Sequence, residues 1–334
     1  MVRILGIIMK VCIVGTGMIA HEVAKALRSE ATEIEITAVC SHSNREKAEE
    51  MAREYNISKA YTDYNDLLHN DDADFVYLGV VNTAHFSYAH QALMAGRNVI
   101  VEKPFTTTVE EAQTLAAIAR ERHLWLFEAI TTLHLPNFQL AQELLPRIGQ
   151  VRIIQANYSQ YSSRYNRYLC GDVAPAFNPK LGGGALNDLG IYNINAIVGL
   201  FGKPVKSQYY ANRGFNGVDT SGILVIQYPT AMAVCICAKD STSPSGITIQ
   251  GEKGTLTIPS APNTVAKVTL TINGTTEEWQ KNKYASRLVH EFKDFEHIWL
   301  SHDVDAMNHY LDTSVEVMEV LTNHSNFSIN NIHA

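Results

Sequence analysis

Glu102, Lys103 and Pro104 follow the apolar run Asn98–Val101, which places an acid, a base and a stiffened turn at the carboxyl end of a β-strand. In an open α/β sheet that is where ligands bind. A lysine there sets a positive charge beside whatever occupies the crevice. The tripeptide alone occurs by chance in many proteins, but two further groups of residues give it weight. Upstream, Gly15-Thr16-Gly17-Met18-Ile19-Ala20 separates an apolar run from a segment with helical spacing. Downstream, Gly182, Gly183 and Gly184 lead into Ala185-Leu186-Asn187-Asp188-Leu189-Gly190-Ile191-Tyr192. The three together read as an enzyme.

Each group has its own chemistry. Glycines at positions 15 and 17 let the backbone turn sharply and approach a pyrophosphate, and the helix that follows offers unpaired N–H groups and the positive end of its dipole. Gly15, Thr16, Gly17, Met18 and Ile19 are therefore the candidate phosphate cradle, with alanine in the third motif position. A second strand that ends in an acid binds the ribose hydroxyls of NAD. Here that end reads Cys40-Ser41-His42-Ser43-Asn44-Arg45, with no carboxylate before Glu46. Ser41, His42 and Arg45 suit a 2′-phosphate instead, so NADP is placed ahead of NAD. Asp188 and Tyr192 are four apart on an expected helix and share a face.

Other chemistries are not encoded. The histidines are not grouped with cysteine or carboxylate at ligand spacing, and His290-Glu291 has Asp294 where a zinc-protease helix needs its second histidine, so no metal site is expected. No Gly-x-Ser-x-Gly or Ser/His/Asp pattern supports acyl chemistry. The net charge of −7, with basic residues scattered, argues against a nucleic-acid partner. The five cysteines are odd in number and lack metal spacing, and are read as reduced thiols of a cytoplasmic protein. No apolar run reaches membrane-spanning length. Lys10 interrupts the apolar start, and Met9 is the expected beginning of the first strand, with the first eight residues outside the fold.

These residues need a frame to hold them. At 334 residues, with 46% hydrophobic and 18% charged, two domains are expected. Residues 1–128 alternate strand and helix: Val11–Val14, Met18–Arg28, Ile34–Cys40, Asn44–Tyr55, Phe75–Val81, Ala84–Ala95, Asn98–Val101, Val109–Arg122 and Leu124–Phe127. This predicts parallel βαβ units, a dinucleotide-binding α/β domain of the Rossmann type. Residues 129–334 change character. A long alternating strand, Val151–Tyr161, precedes the glycine run, and strands separated by Gly, Pro, Asn and Ser turns follow between Ser207 and Asn273. Helices over Tyr284–Leu300 and Val304–Thr322 close the chain. This predicts an α+β domain with an open, mostly antiparallel sheet, which would bind substrate and mediate oligomerisation.

Taken together, the motifs resemble the glucose–fructose oxidoreductase/inositol dehydrogenase/rhizopine catabolism family (Gfo/Idh/MocA), in motif detail from Lys10 to about Leu200. Val80-Val81-Asn82-Thr83-Ala84-His85 is similar to the family's Thr-Pro-Asn-x-x-His loop without its Thr-Pro. Glu102-Lys103-Pro104 matches fully. Glu128-Ala129 with Pro136 resembles its Glu-Ala…Pro segment, with Leu133 where arginine is frequent. Asn178-Pro179-Lys180-Leu181-Gly182-Gly183-Gly184-Ala185-Leu186-x-Asp188 resembles its Asp-Pro-x-Leu-Gly-Gly-Gly-Ala-Leu-x-Asp. Tyr192 stands where many members have histidine, as in the branch similar to dihydrodiol and xylose dehydrogenases. The resemblance implies hydride transfer between nicotinamide C4 and a sugar, polyol or vicinal diol, or its carbonyl form. It also implies that Asn82, His85, Glu102, Lys103 and Glu128 hold the cofactor. Tyr192 would move the proton, with Lys103 lowering its reference pKa of about 10 and Asp188 orienting it; Lys103 as the proton carrier stays open. A homodimer or homotetramer through the second sheet is expected. A non-catalytic dinucleotide-sensing regulator of the same fold is the alternative.

Overall fold

The computed structural model describes residues 8–41, 44–322 and 325–328. They form two compact units. One takes in the chain up to Thr106, Glu110–Ala129 and Tyr284–Asp312; the other takes in Thr107–Val109, Ile130–Lys283 and the chain from Thr313.

In the first unit the strands are β1 (Lys10–Val14), β2 (Glu35–Cys40), β3 (Lys59–Tyr61), β4 (Phe75–Leu78), β5 (Asn98–Glu102) and β6 (Leu126–Ala129). Between them run α1 (Met18–Glu30), α2 (Arg45–Glu54), α3 (Tyr64–Asn70), α4 (His85–Met94) and α5 (Val109–Glu121). The strands pair in parallel in the order β3-β2-β1-β4-β5-β6. The chain leaves β1 toward both edges, so the switch point that opens a ligand crevice lies at the carboxyl ends of β1 and β4. Local signals set the boundaries. The Asn44 side chain accepts from Lys47 N–H and caps α2, and Gly96 ends α4 with a φ of +77°.

Two strand ends differ from the sequence reading. β5 runs on through Glu102, and β6 is shifted to include Glu128 and Ala129. Both acids look like loop residues because a carboxylate at a strand end is usually solvated. Here each is buried and finds donors on the turn described below.

The helix α10 (Arg287–Leu300), grouped with the second domain from the sequence, packs in the first unit. The reason is aromatic. Phe295 stacks on Phe127 at 4.6 Å, and Phe292 lies 5.7 Å from Tyr77 and 6.0 Å from Phe295. Burying each such ring contributes on the order of 2 kcal/mol.

The second unit holds short helices α6 (Thr131–His134), α7 (Pro136–Leu144) and α8 (Tyr165–Leu169), the buried α9 (Ile191–Phe201), and a nine-stranded sheet. Its strands are β7 (Val151–Ser159), β8 (Lys206–Arg213), β9 (Asp219–Gln227), β10 (Met232–Ala238), β11 (Gly246–Gly251), β12 (Gly254–Ile258), β13 (Val268–Ile272), β14 (Thr275–Trp279) and β15 (Ser325–Ser328). All pairs are antiparallel except β7 with β10 and β8 with β15. The last long helix, α11, spans Val304–Thr322. Alternation along the central strands buries Ile154, Ala233, Cys235 and Leu224 on one face. Ile153, Tyr210, Ile223, Met232 and Ile236 remain exposed on the other.

Candidate active site

The β1–α1 turn has the geometry of a phosphate cradle. Gly15 has a φ of +114°, its N–H donates to the Cys40 carbonyl at 2.9 Å, and a Cβ there would collide with the Gly79 carbonyl. Gly17 precedes α1 without a side-chain cap, and a Cβ there would meet nothing within 4 Å. The first N–H groups of α1 are thereby left for an anion. Thr16 and Ile19 are half-buried beside them and Met18 is exposed. At the end of β2, Ser41 is buried and its N–H donates to the Tyr61 carbonyl at 3.1 Å. Arg45 pairs with Glu49 on an exposed face at 2.9 Å, a contact weak enough to be exchanged for a ligand. His42 lies outside the described residues.

The turn after β5 is held from below. The Tyr77 hydroxyl donates to Glu102 Oε1 at 2.7 Å, and Lys103 N–H donates to Glu102 Oε2 at 3.2 Å. Phe105 N–H donates to Glu128 Oε1 at 3.0 Å, and the Lys103–Pro104 peptide is cis. His85 is fully buried, with Nδ1 2.8 Å from the Pro104 carbonyl and Nε2 3.2 Å from that of Val80. Burial holds its pKa below the ordinary histidine value, with the two carbonyls opposing the shift. The sequence gives His85, Glu102 and Glu128 to the cofactor; in the structure these side chains also hydrogen-bond the turn after β5. Lys103 is half-buried, and Asn82 lies half-buried in a 3₁₀ turn after β4.

A further acid lies close to this turn. Glu291 on α10 is fully buried, and neither carboxyl oxygen has a hydrogen-bond partner among the described residues. Burial, then the charges of Glu102 and Glu128, push its pKa well above the usual range, and Arg287 opposes them. Glu102 is raised too, by burial, with Tyr77 and Lys103 moderating the effect.

In the second unit the glycine run serves close packing. Gly184 has a φ of +137°, and a Cβ there would collide with Asp219 Oδ1. Asp219 Oδ2 accepts from Leu186 N–H at 2.8 Å and from the Tyr209 hydroxyl at 2.7 Å. The expected uniform helix is instead a π turn over Leu186–Gly190 followed by α9. Asp188 sits in the π turn, a wider coil that recurs at functional sites. Its Oδ2 accepts from Lys239 Nζ at 2.7 Å. Tyr192 is buried in the first turn of α9, its ring 5.9 Å from that of Tyr158. Lys239 and Asp219 were missed from sequence. The one available signal was that Lys239, like Lys103, directly follows a strand.

A parallel sheet with a glycine cradle at its first turn defines a dinucleotide-binding unit, and the second unit adds an open, mostly antiparallel sheet with Asp188 in its π turn and Tyr192 on α9. Residues 9–129 match the oxidoreductase family with the NAD-binding Rossmann fold, and residues 138–257 match the GFO/IDH/MocA C-terminal domain. The chain belongs to the Gfo/Idh/MocA oxidoreductases. It is 37% identical over 248 residues to scyllo-inositol 2-dehydrogenase (NADP(+)) IolU of Bacillus subtilis, 74% of each chain. It is also 37% identical over 246 residues to the uncharacterized oxidoreductase YgjR of Escherichia coli, again 74% of each. Trans-1,2-dihydrobenzene-1,2-diol dehydrogenase of Oryctolagus cuniculus is 32% identical over 248 residues, 72% of this chain and 73% of that one. The fold also matches KijD10, a 3-ketoreductase from Actinomadura kijaniata solved with NADP and TDP-benzene, with a TM-score of 0.81 at 23% identity over 97% and 100% of the two chains. Both the fold class and the enzyme class read from the motifs therefore hold.

Proposed function

We propose that this chain transfers a hydride between a nicotinamide dinucleotide, NADP in preference to NAD, and the carbinol carbon of a sugar, polyol or vicinal diol, or its carbonyl form. The observation that carries this reading is the turn Glu102–Phe105, which buried Glu102, Glu128 and His85 hold so that Lys103 stands at the carboxyl end of β5. The cradle fits the dinucleotide, since glycine is required at Gly15, open at Gly17, and α1 begins uncapped. Gly15–Ile19 would hold the pyrophosphate, Ser41 and Arg45 the 2′-phosphate, and Asn82 the nicotinamide side. When bound, the nicotinamide ring supplies the hydride acceptor or donor. Tyr192 takes the hydroxyl proton during oxidation and returns it during reduction, Lys103 is its electrostatic partner and holds the substrate oxygen, and Asp188 orients the group. The relatives acting on scyllo-inositol and on a dihydrodiol support a substrate with neighbouring hydroxyls. The exposed face of the second sheet, with Ile153, Ile223 and Ile236, suits a second copy of the chain. The five cysteines are unpaired, in keeping with a reducing cytoplasm, and among the described residues no helix is long and apolar enough to cross a membrane.

The test is kinetic. On a substrate that the wild type turns over, Lys103→Ala and Tyr192→Phe should each lower kcat about 10²–10⁴-fold, leaving dinucleotide affinity by calorimetry nearly intact. Because the two act as a unit, the double variant should be little worse than either single one. A well-folded Tyr192→Phe enzyme with near-normal kcat would remove Tyr192 from the mechanism.

A further inference from the structure

Lys239 has a placement that the proposed proton transfer does not use. Its side chain is only 2% exposed, although lysine is seldom buried. Nζ donates to Asp188 Oδ2 at 2.7 Å and to the Ala176 carbonyl at 2.7 Å, and lies 4.5 Å from the centre of the Phe177 ring. Two of the ammonium's three donors are thereby committed to oxygen acceptors, and the charge faces the ring. The backbone is equally fixed. Lys239 N–H donates to the Thr220 carbonyl at 2.8 Å, and its own carbonyl accepts from Ser162 N–H at 2.9 Å. The Lys239 backbone is thus pinned between the start of β9 and the segment after β7, while Nζ is held by Ala176 and Asp188.

The partners of Lys239 belong to the glycine segment. The Ala176 carbonyl that accepts from Nζ also accepts from Gly184 N–H at 3.2 Å, and Asp188 N–H donates to the Gly184 carbonyl at 3.1 Å. One ammonium therefore joins the 3₁₀ turn Pro175–Phe177, the glycine run and the π turn. Asp188 is 38% exposed, so its carboxylate has one oxygen committed inward while the group reaches the surface. A buried ion pair is weak evidence of stabilisation, because desolvation opposes the Coulombic gain. What it supplies with certainty of geometry is direction.

We infer that Lys239 is a positioning residue for the reaction, fixing the Asp188 carboxylate and the glycine run through Nζ. The inference rests on the functional reading above for Asp188. Lys239→Met keeps an apolar stem against Phe177 and removes both hydrogen bonds. It should lower kcat about 10²-fold, the size of effect that a misplacement of about 1 Å produces, with NADP affinity changed less than twofold. If Lys239 acts through Asp188, the double variant Lys239→Met/Asp188→Asn should be no slower than Asp188→Asn alone. Wild-type kcat in folded Lys239→Met, or effects that multiply in the double variant, would overturn the inference. Should Lys239→Met not fold, Lys239→Gln, which keeps a donor for the Ala176 carbonyl, takes its place.

A second readout does not depend on turnover. Hydrogen exchange of the Gly184 and Asp188 amides should quicken at least tenfold in the variant, with the amides of β1 to β6 unchanged. If the wild type turns over no sugar or diol with NADP, the functional reading fails, and this exchange still decides whether Lys239 sets the segment. Unchanged exchange at these two amides, or a uniform rise across the chain, would overturn the positioning role.

Discussion

Replacing Gly184 by alanine strikes the second unit at its least accommodating point. A φ of +137° lies in a region that side-chain-bearing residues rarely adopt, which costs about 1–3 kcal/mol. The new methyl group also collides with Asp219 Oδ1. That side chain cannot swing away without giving up the bonds that Oδ2 accepts from Leu186 N–H at 2.8 Å and the Tyr209 hydroxyl at 2.7 Å. Tyr209 stays a donor throughout, because burial and its neighbours Cys237 and Asp219 raise its pKa strongly. Hydrogen bonds to a charged acceptor contribute about 1.5–3 kcal/mol each. Losing both together with the backbone strain gives about 4–9 kcal/mol, a large share of the 5–15 kcal/mol that typically holds a protein folded. At roughly 2–4 °C per kcal/mol, the thermal midpoint followed by circular dichroism should fall by at least about 8 °C. The collision can be separated from the strain by repeating Gly184→Ala in an Asp219→Ala background, where only about 1–3 kcal/mol should remain. A single variant melting within 2 °C of wild type, using roughly the precision of the method, would refute the reasoning. So would an equal cost in both backgrounds.

Two further outcomes are expected. Because burial raises Glu291 and Glu102, the folded chain keeps protons that the unfolded chain releases above the ordinary carboxyl range. Stability therefore falls as pH rises above the ordinary carboxyl range, until each group has ionised in the folded chain as well. Glu291→Gln should flatten that decline in urea midpoints, and identical pH slopes would contradict it. On the exposed sheet face, Ile236→Asp should convert a dimer to monomer in sedimentation without loss of fold, since Ile236 is 37% exposed; a monomeric wild type would refute the interface.

What was legible in the sequence was local. Gly15 and Gly17 announce their turn because the strand, the glycines and the helix are contiguous, and Glu102-Lys103-Pro104 is a single tripeptide. The glycine run before Asp188 was equally plain. Hidden features depend on partners far along the chain. Asp188 and Lys239 are 51 residues apart, and a lysine after a strand normally points to water. Glu102 and Glu128 look like loop acids until their donors, Tyr77 and Phe105, are in place. Glu291 lies within an amphipathic helix whose apolar residues could have covered either sheet. The ring contacts of Phe295 with Phe127 and of Phe292 with Tyr77 decide which sheet α10 covers. The π turn has no composition signature at all.

That return of α10 has a consequence for how the chain is made. A ribosome delivers β1 to β6 long before it reaches Arg287, and until then Phe127 and Tyr77 lack the rings that cover them. At roughly 5–20 residues per second, the interval between Ala129 and Asp312 lasts on the order of ten seconds or more. Throughout it the newborn parallel sheet carries an uncovered aromatic face, the kind of surface that chaperones bind. The dinucleotide unit is thus begun first yet cannot be finished until nearly all of its neighbour has emerged.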